Sequence, residues 1–207
     1  MSPSFAPVEP VPARELTAKG FRTRERIVAA AAQLIHQQGV AGTTVENVRA
    51  AAEVSGSQLY HYFADKDCLV RAVVDSQADR VVDGQQAAGL ATTDGLHGWR
   101  EAILTQARLA HGAGGCPLGS LAGQLAESDP AARAQLAAGF ERWAGVLAGN
   151  LQRMQSSGRL SDEIAPADLA VTLLAALQGG LLLTQVDRDT AALETTLDTL
   201  LRLTSPA

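Results

Sequence analysis

The chain predicts an all-α fold, a three-helix head joined to a larger helical body, and three observations carry that prediction. Apolar residues recur at steps of three and four in one segment after another, the spacing that gathers them on one side of a helix. These segments open on Thr, Ser, Asp or Pro residues suited to a helix start, and several close on glycine. No stretch of useful length alternates apolar and polar residues with period two, so no sheet is expected. At 207 residues, 46% of them hydrophobic and 19% charged, the chain is long enough for a small domain followed by a larger one.

Residues 1–18 contain Pro3, Pro7, Pro10 and Pro12 and few large apolar side chains, so they are expected to form a disordered arm. A first helix is expected from about Thr23 to Gln38, with Ile27, Ala31, Leu34 and Ile35 as its apolar stripe and Gly39 at its end. Thr44 can cap a second, which carries Val45, Val48 and Ala52 on one side. After a short break at Glu53 and Val54, Ser55 can cap a third, whose apolar Leu59 and Phe63 stand four apart while Gln58, His61 and Tyr62 point elsewhere. Two short helices crossing through a tight turn form a helix-turn-helix, in which the second helix presents its first turn to base edges in the major groove. Asp65 and Lys66 begin a fourth helix with Leu69, Val70, Val73 and Val74, running to about Gln86. It joins a DNA-binding head, residues 19–66, to a body, residues 67–207.

In the body, Gly89–Gly98 reads as a glycine-containing connection, followed by a helix marked by Trp99, Ile103, Ala107 and Ala110 and ended by Gly112. The next segment, HGAGGCPLG, is followed by no Gly-Lys-Ser/Thr and preceded by no strand, so a flexible link between helices is expected rather than a nucleotide loop. A short helix over Leu118–Glu127 follows. Asp129-Pro130, a cap with proline in the first turn, opens a long helix through Leu136, Phe140, Trp143, Leu147, Leu151 and Met154 to Gly158. Two helices close the chain, Pro166 to about Val186 and Thr190 to about Leu203. The first is apolar nearly all round, and a second copy of the chain is a natural cover for it. A homodimer interface through these two helices is therefore expected, with Leu182 and Leu197 as positions where a charge would break it.

Charge is uneven. From Arg14 to Arg26 five basic residues face two acidic ones, whereas from Ser76 to Ala207 nine basic residues face fourteen acidic ones, so only the head end suits an approach to phosphates. Cys68 and Cys116 lie too far apart for a zinc spacing or a disulfide framework, which fits a reducing cytoplasm, and the four histidines lack the paired spacing of a metal helix. No metal and no cofactor are expected. Nor is a secretory signal or an apolar run of membrane-spanning length; Leu169–Leu183 reads as a buried helix.

The residues Gly39, Thr43-Thr44-Val45, Ala51-Ala52, Val54-Ser55, Leu59-Tyr60-His61-Tyr62-Phe63 and Lys66 resemble the TetR family of bacterial transcriptional regulators, over roughly residues 22–70. The remainder resembles it in helical character and length. Three positions depart from the family's common pattern: Glu53 stands where a turn glycine is usual, Gly56 where lysine is common and Ser57 where glycine is common. A side chain at positive φ is costly at the first, and the second removes a phosphate-pairing charge.

Thr44, Ser55, Tyr60, Tyr62 and Lys66 can donate to phosphate oxygens, and helix starts at Thr44, Ser55 and Lys66 add favourable dipoles. Gln58 and His61 lie opposite Leu59 and Phe63, where no structural need accounts for them, and Gln58 can pair with an adenine edge. Ser57 is small enough to let the duplex approach. In the body, Trp99, Phe140, Trp143 and Met154 are the large side chains from which a ligand cavity is expected, with Glu141, Gln106, Arg108 and Gln178 as polar candidates. The leading reading is a cytoplasmic repressor that binds double-stranded operator DNA as a homodimer and is released by a small apolar or aromatic effector. The alternatives are control by a protein partner or by oxidation of Cys116, and, from another class, an enzyme with Cys116 as nucleophile, for which no base or orienting group can be named.

Overall fold

The structure, a computed structural model, describes residues 16–87 and 93–203. Most of the expected arm 1–18, and residues 88–92 of the expected connection Gly89–Gly98, lie outside them. The first helix, α1, spans Ala18–Gly42. It starts earlier than the apolar spacing indicates because a polar cap sets its beginning: the Thr17 hydroxyl accepts the Gly20 N–H at 3.2 Å. Gly39, at φ 76°, breaks it as expected, and one further turn follows. Ile27, Val28, Ala31 and Ile35 of α1 share one buried cluster with Val48 of α2 (Val45–Ala51), Ala52 at its end, Leu59 of α3 (Gly56–Tyr62) and Phe63 just after it. Full burial of side chains of this size is worth about 1.5–3 kcal/mol each.

The fourth helix, α4 (Lys66–Ala87), leads from the head into the body, burying Leu69, Val70, Val73, Val74 and Ala78. It packs on α1, on α6 (Pro117–Leu125) and most extensively on α7 (Pro130–Ser156). In turn α7 packs against α8 (Pro166–Asp187), and α8 against α9 (Ala191–Leu203), while α5 (Thr93–Leu109) leans on α9. The described residues hold nine helices and no strand.

Three expectations about the body are corrected. The helix α5 begins at Thr93, so Gly95 and Gly98 are helical; each costs about 1 kcal/mol relative to alanine, and the burial of Leu96, Trp99 and Leu104 overrides it. HGAGGCPLG is wedged in place rather than a flexible link. A Cβ at Gly112 would stand 2.8 Å from the Thr184 carbonyl oxygen, one at Gly114 would run into the His36 imidazole, and both glycines adopt positive φ, at 68° and 85°. This segment therefore fills the space between α1 and α8.

The third correction concerns α8. By length and composition it is apolar enough to cross a membrane, at a mean hydropathy of 1.7, contrary to the expectation of no such run. Leu169, Leu173, Leu177 and Thr184 face inward, and Gly180 admits Leu193 of α9 so closely that a Cβ there would lie 2.7 Å from Leu193 Cδ1. The opposite stripe, Val171, Ala175, Gly179, Leu182 and Val186, is exposed. Leu197, expected beside Leu182 at an interface, is 0% exposed, because α9 turns it into the α8 contact.

Candidate functional site

The unit α2, turn, α3 is built from short helices, and helices of seven residues are not stable on propensity alone. Both are closed at the start by reciprocal caps. The Thr44 hydroxyl accepts the Asn47 N–H at 3.1 Å while the Asn47 amide oxygen accepts the Thr44 N–H at 3.4 Å. At α3 the Ser55 hydroxyl accepts the Gln58 N–H at 3.1 Å and the Gln58 amide oxygen accepts the Ser55 N–H at 2.9 Å. Between them Glu53 sits at φ 51°, the left-handed conformation that glycine supplies more cheaply, with its side chain exposed. Val54 is buried and plugs the turn.

With Leu59 and Phe63 each 1% exposed, the rest of α3 turns outward. Ser55, Ser57, Gln58 and His61 are exposed, Ser57 lying 3.0 Å from Ser55 hydroxyl to hydroxyl, and Tyr60 is 49% exposed. Thr44 is exposed at the start of α2. His61 meets Tyr62 edge to face at 4.9 Å, and Tyr62 is half-buried. Lys66 is turned inward: its ammonium donates to the Val40 carbonyl at 2.7 Å, closing the last turn of α1. The expectation that Gln58 has no structural work is corrected by its half of the cap, which sequence spacing, Ser55 to Gln58, could have revealed. The exposed cations Lys19, Arg22 and Arg26 of α1 and Arg49 of α2 have no ion-pair partner among the described residues, while Arg24 stacks over the Phe63 ring at 5.3 Å. Arg49 was missed because a lone arginine on a helix carries no local signal.

In the body, α4, α5, α8 and the 112–117 segment border a partly open cavity of about 630 Å³. Trp99 and Trp143 line it, each 3% exposed, as does Gln106. Phe140 and Met154 do not. Phe140 stacks on Trp143 at 6.3 Å with the rings 9° from parallel, and Met154 lies eleven residues beyond Trp143 on α7, about 16 Å further along the axis, inside the core. Ile103, Leu177, Leu181 and Thr184 complete the apolar wall; Thr184 and Leu181 carried no signal within a helix that is apolar throughout. Cys116 lines the cavity, is 7% exposed and accepts the Gly119 N–H at 3.4 Å as the cap of α6. The indole Nε1 of Trp99 and of Trp143, the Thr184 hydroxyl and the Gln85 Oε1 are all buried without a hydrogen-bond partner among the described residues.

The α5 wall is held on α9 by charge. Arg100 grips the Asp198 carboxylate with two donors, one at 2.8 Å, and Arg108 pairs with Glu194 at 2.6 Å. The Arg100 hydrogen bond holds the Asp198 carboxyl below its ordinary range, and hydrogen bonds from Thr190 and then Arg108 do the same for Glu194. Among the described residues no group of acidic, histidine and cysteine side chains could hold a metal ion.

The family model described as bacterial regulatory proteins, tetR family, matches residues 27–73, and that described as tetracyclin repressor-like, C-terminal domain, matches residues 93–200, just over half of the chain. The chain is 29% identical over 185 residues to an uncharacterized HTH-type transcriptional regulator in the lacX 3′ region of Lactococcus lactis subsp. lactis, covering 86% of this chain and 91% of that protein. It is 25% identical over 175 residues to the HTH-type transcriptional repressor DhaR of Mycobacterium sp. (strain GP1), covering 83% and 86%. Among solved structures, a TetR transcriptional regulator from Chloroflexus aurantiacus superposes with a TM-score of 0.75 at 26% identity, covering 92% of this chain and all of that one. With the capped α2–α3 unit, the all-helical body and both family halves in register, the chain belongs to the TetR family of bacterial transcriptional regulators, which are not enzymes.

Proposed function

We propose that this regulator is a repressor that binds operator DNA as a homodimer and is released by a small apolar or aromatic effector. The observation that carries the effector half is the 630 Å³ cavity: a body that only dimerised would pack solidly between α5 and α8, yet Ile103 and Leu181 border open space. The DNA half rests on the outward side of α3. In this reading the head, residues 19–66, meets DNA through Ser57, Gln58, Tyr60 and His61 at bases and phosphates, with Thr44 and Ser55 combining cap and phosphate contact. Lys19, Arg22, Arg26 and Arg49 supply flanking charge, and Lys66 with Tyr62 fix the frame from within. The body is residues 67–207. Repression is supported by the likeness to a named repressor.

Dimerisation is supported by the stripe on α8, where Val171, Leu182 and Val186 are 59%, 60% and 71% exposed. A row of large apolar side chains along one helix face marks an interaction surface. In a closed two-fold pair the stripe covers its own copy.

Selection of binding sites from random duplex DNA with the full chain, followed by sedimentation of the complex, tests the reading. A two-fold symmetric site bound by an even number of chains is expected. An asymmetric site held by one chain would sink the homodimer, and no enriched sequence would sink the operator.

A further inference from the structure

The wall of the body cavity carries charge of one sign. Arg80 of α4 supplies it, the His36 imidazole of α1 also lines the wall, and among the described residues no aspartate or glutamate does. Arg80 is exposed and makes no ion pair among the described residues; its chain neighbour Asp79 pairs with Arg142 at 2.8 Å, and Asp83, one turn further, forms no part of the wall. Independently of charge, much of the wall is apolar, with Ala102, Ile103, Leu177 and Leu181 among its lining residues.

Arg80 and His36 are also placed together. His36 and Arg80 line both this cavity and a second one of about 810 Å³ between α1, α4 and α6, so they stand where the two meet, at one end of an otherwise apolar chamber.

Resting on the reading of this cavity as an effector site, we infer that the effector is an amphipathic anion, an apolar or aromatic body bearing one carboxylate. The carboxylate pairs with the Arg80 guanidinium, whose fork matches it bidentately, and accepts from the His36 imidazole. The body lies against Trp99, Trp143 and Leu181. Because His36 belongs to α1 and Arg80 to α4, a bound carboxylate ties together the two helices that carry the head.

Calorimetric titration of the full chain with matched pairs, 4-tert-butylbenzoate and its amide, 2-naphthoate and its amide, decanoate and its amide, tests this. At least one carboxylate is expected to bind roughly ten-fold or more tightly than its amide. Arg80→Gln, a surface change whose fold is checked by circular dichroism, should remove that preference while leaving amide binding nearly unchanged; His36→Gln should reduce it less. An amide binding as well as its carboxylate, or Arg80→Gln weakening both equally, overturns the anion and leaves the effector cavity standing. If no carboxylate and no amide binds the folded protein, the effector reading fails and takes this inference with it.

Discussion

The head and the body treat their polar groups in opposite ways. Around α3, polar side chains answer to one another: Ser55 and Gln58 cap reciprocally, and Lys66 closes α1 on the Val40 carbonyl. Around the body cavity, Trp99, Trp143, Thr184 and Gln85 keep buried polar atoms with nothing to bond. A self-satisfied network is rigid, which suits a reading head that must hold its geometry before DNA arrives. Buried atoms left unpaired cost stability, so the surroundings of the cavity are held less firmly than the head.

The largest effect expected separates the body's inner and outer apolar faces. Leu197→Asp places a charge where the side chain is 0% exposed and should cost about 4 kcal/mol or more, leaving little folded protein in a thermal or urea melt. Leu182→Asp, at a residue 60% exposed, should leave monomer stability within about 0.5 kcal/mol and convert dimers to monomers by sedimentation. A folded, dimeric Leu182→Asp would move the interface off α8.

Next come the two roles of Gln58. Gln58→Ala removes both the cap partner and any base contact, whereas Gln58→Glu keeps an acceptor for the Ser55 N–H and removes the amide donor that adenine recognition needs. Gln58→Ala should lower affinity for the selected site by about 1–3 kcal/mol with little change on unrelated DNA and should also lower the melting temperature, whereas Gln58→Glu, which adds a negative charge facing phosphates, should keep the melting temperature and weaken unrelated DNA as well, the selected site more. Full affinity in Gln58→Glu would mean that the residue reads no base.

Smaller, and opposite in sign, are two single-hydroxyl changes. Ser55→Ala should destabilise by about 1 kcal/mol through loss of the α3 cap. Thr184→Val, which keeps the shape of a 2% exposed side chain and removes an unpaired hydroxyl, should stabilise the ligand-free protein by about 1 kcal/mol. Equal losses from both in denaturant melts would erase the contrast between the two regions.

The smallest effect is expected in acid. Asp198 and Glu194 have carboxyls lowered in the folded protein, so their contribution is present above the ordinary carboxylate pKa of about 4 and is lost as pH falls through the lowered values. Both partners reach solvent, which keeps the contribution modest. Hydrogen exchange should show α5 losing protection below that range while α2 and α3, capped by hydroxyl and amide groups, keep theirs. Simultaneous loss in both would show that α5 is not held by these pairs.

Local chemistry was legible in the sequence wherever a residue's job is done by near neighbours. The periodic stripe of α1, the caps Thr44, Ser55 and Asp129, the break at Gly39 and the outward side of α3 all follow from spacings of two to four residues, and the family resemblance rests on the same stretch. The tertiary structure decided what depends on distant segments. It turned Lys66 inward because the Val40 carbonyl, twenty-six positions away at the end of α1, accepts a second donor beside the Thr43 N–H. It made the glycines of 112–115 a packed wedge because His36 and Thr184 arrive there from α1 and α8. It kept Trp143 at the cavity and left Met154 in the core, although both lie on one buried stripe of α7, because the cavity occupies only one end of that stripe. It gathered His36 and Arg80, which no spacing connects, at the mouth of one chamber. Helical periodicity fixes which side of a segment is apolar; which neighbour meets that side, and where along it a gap remains, depends on how whole helices cross.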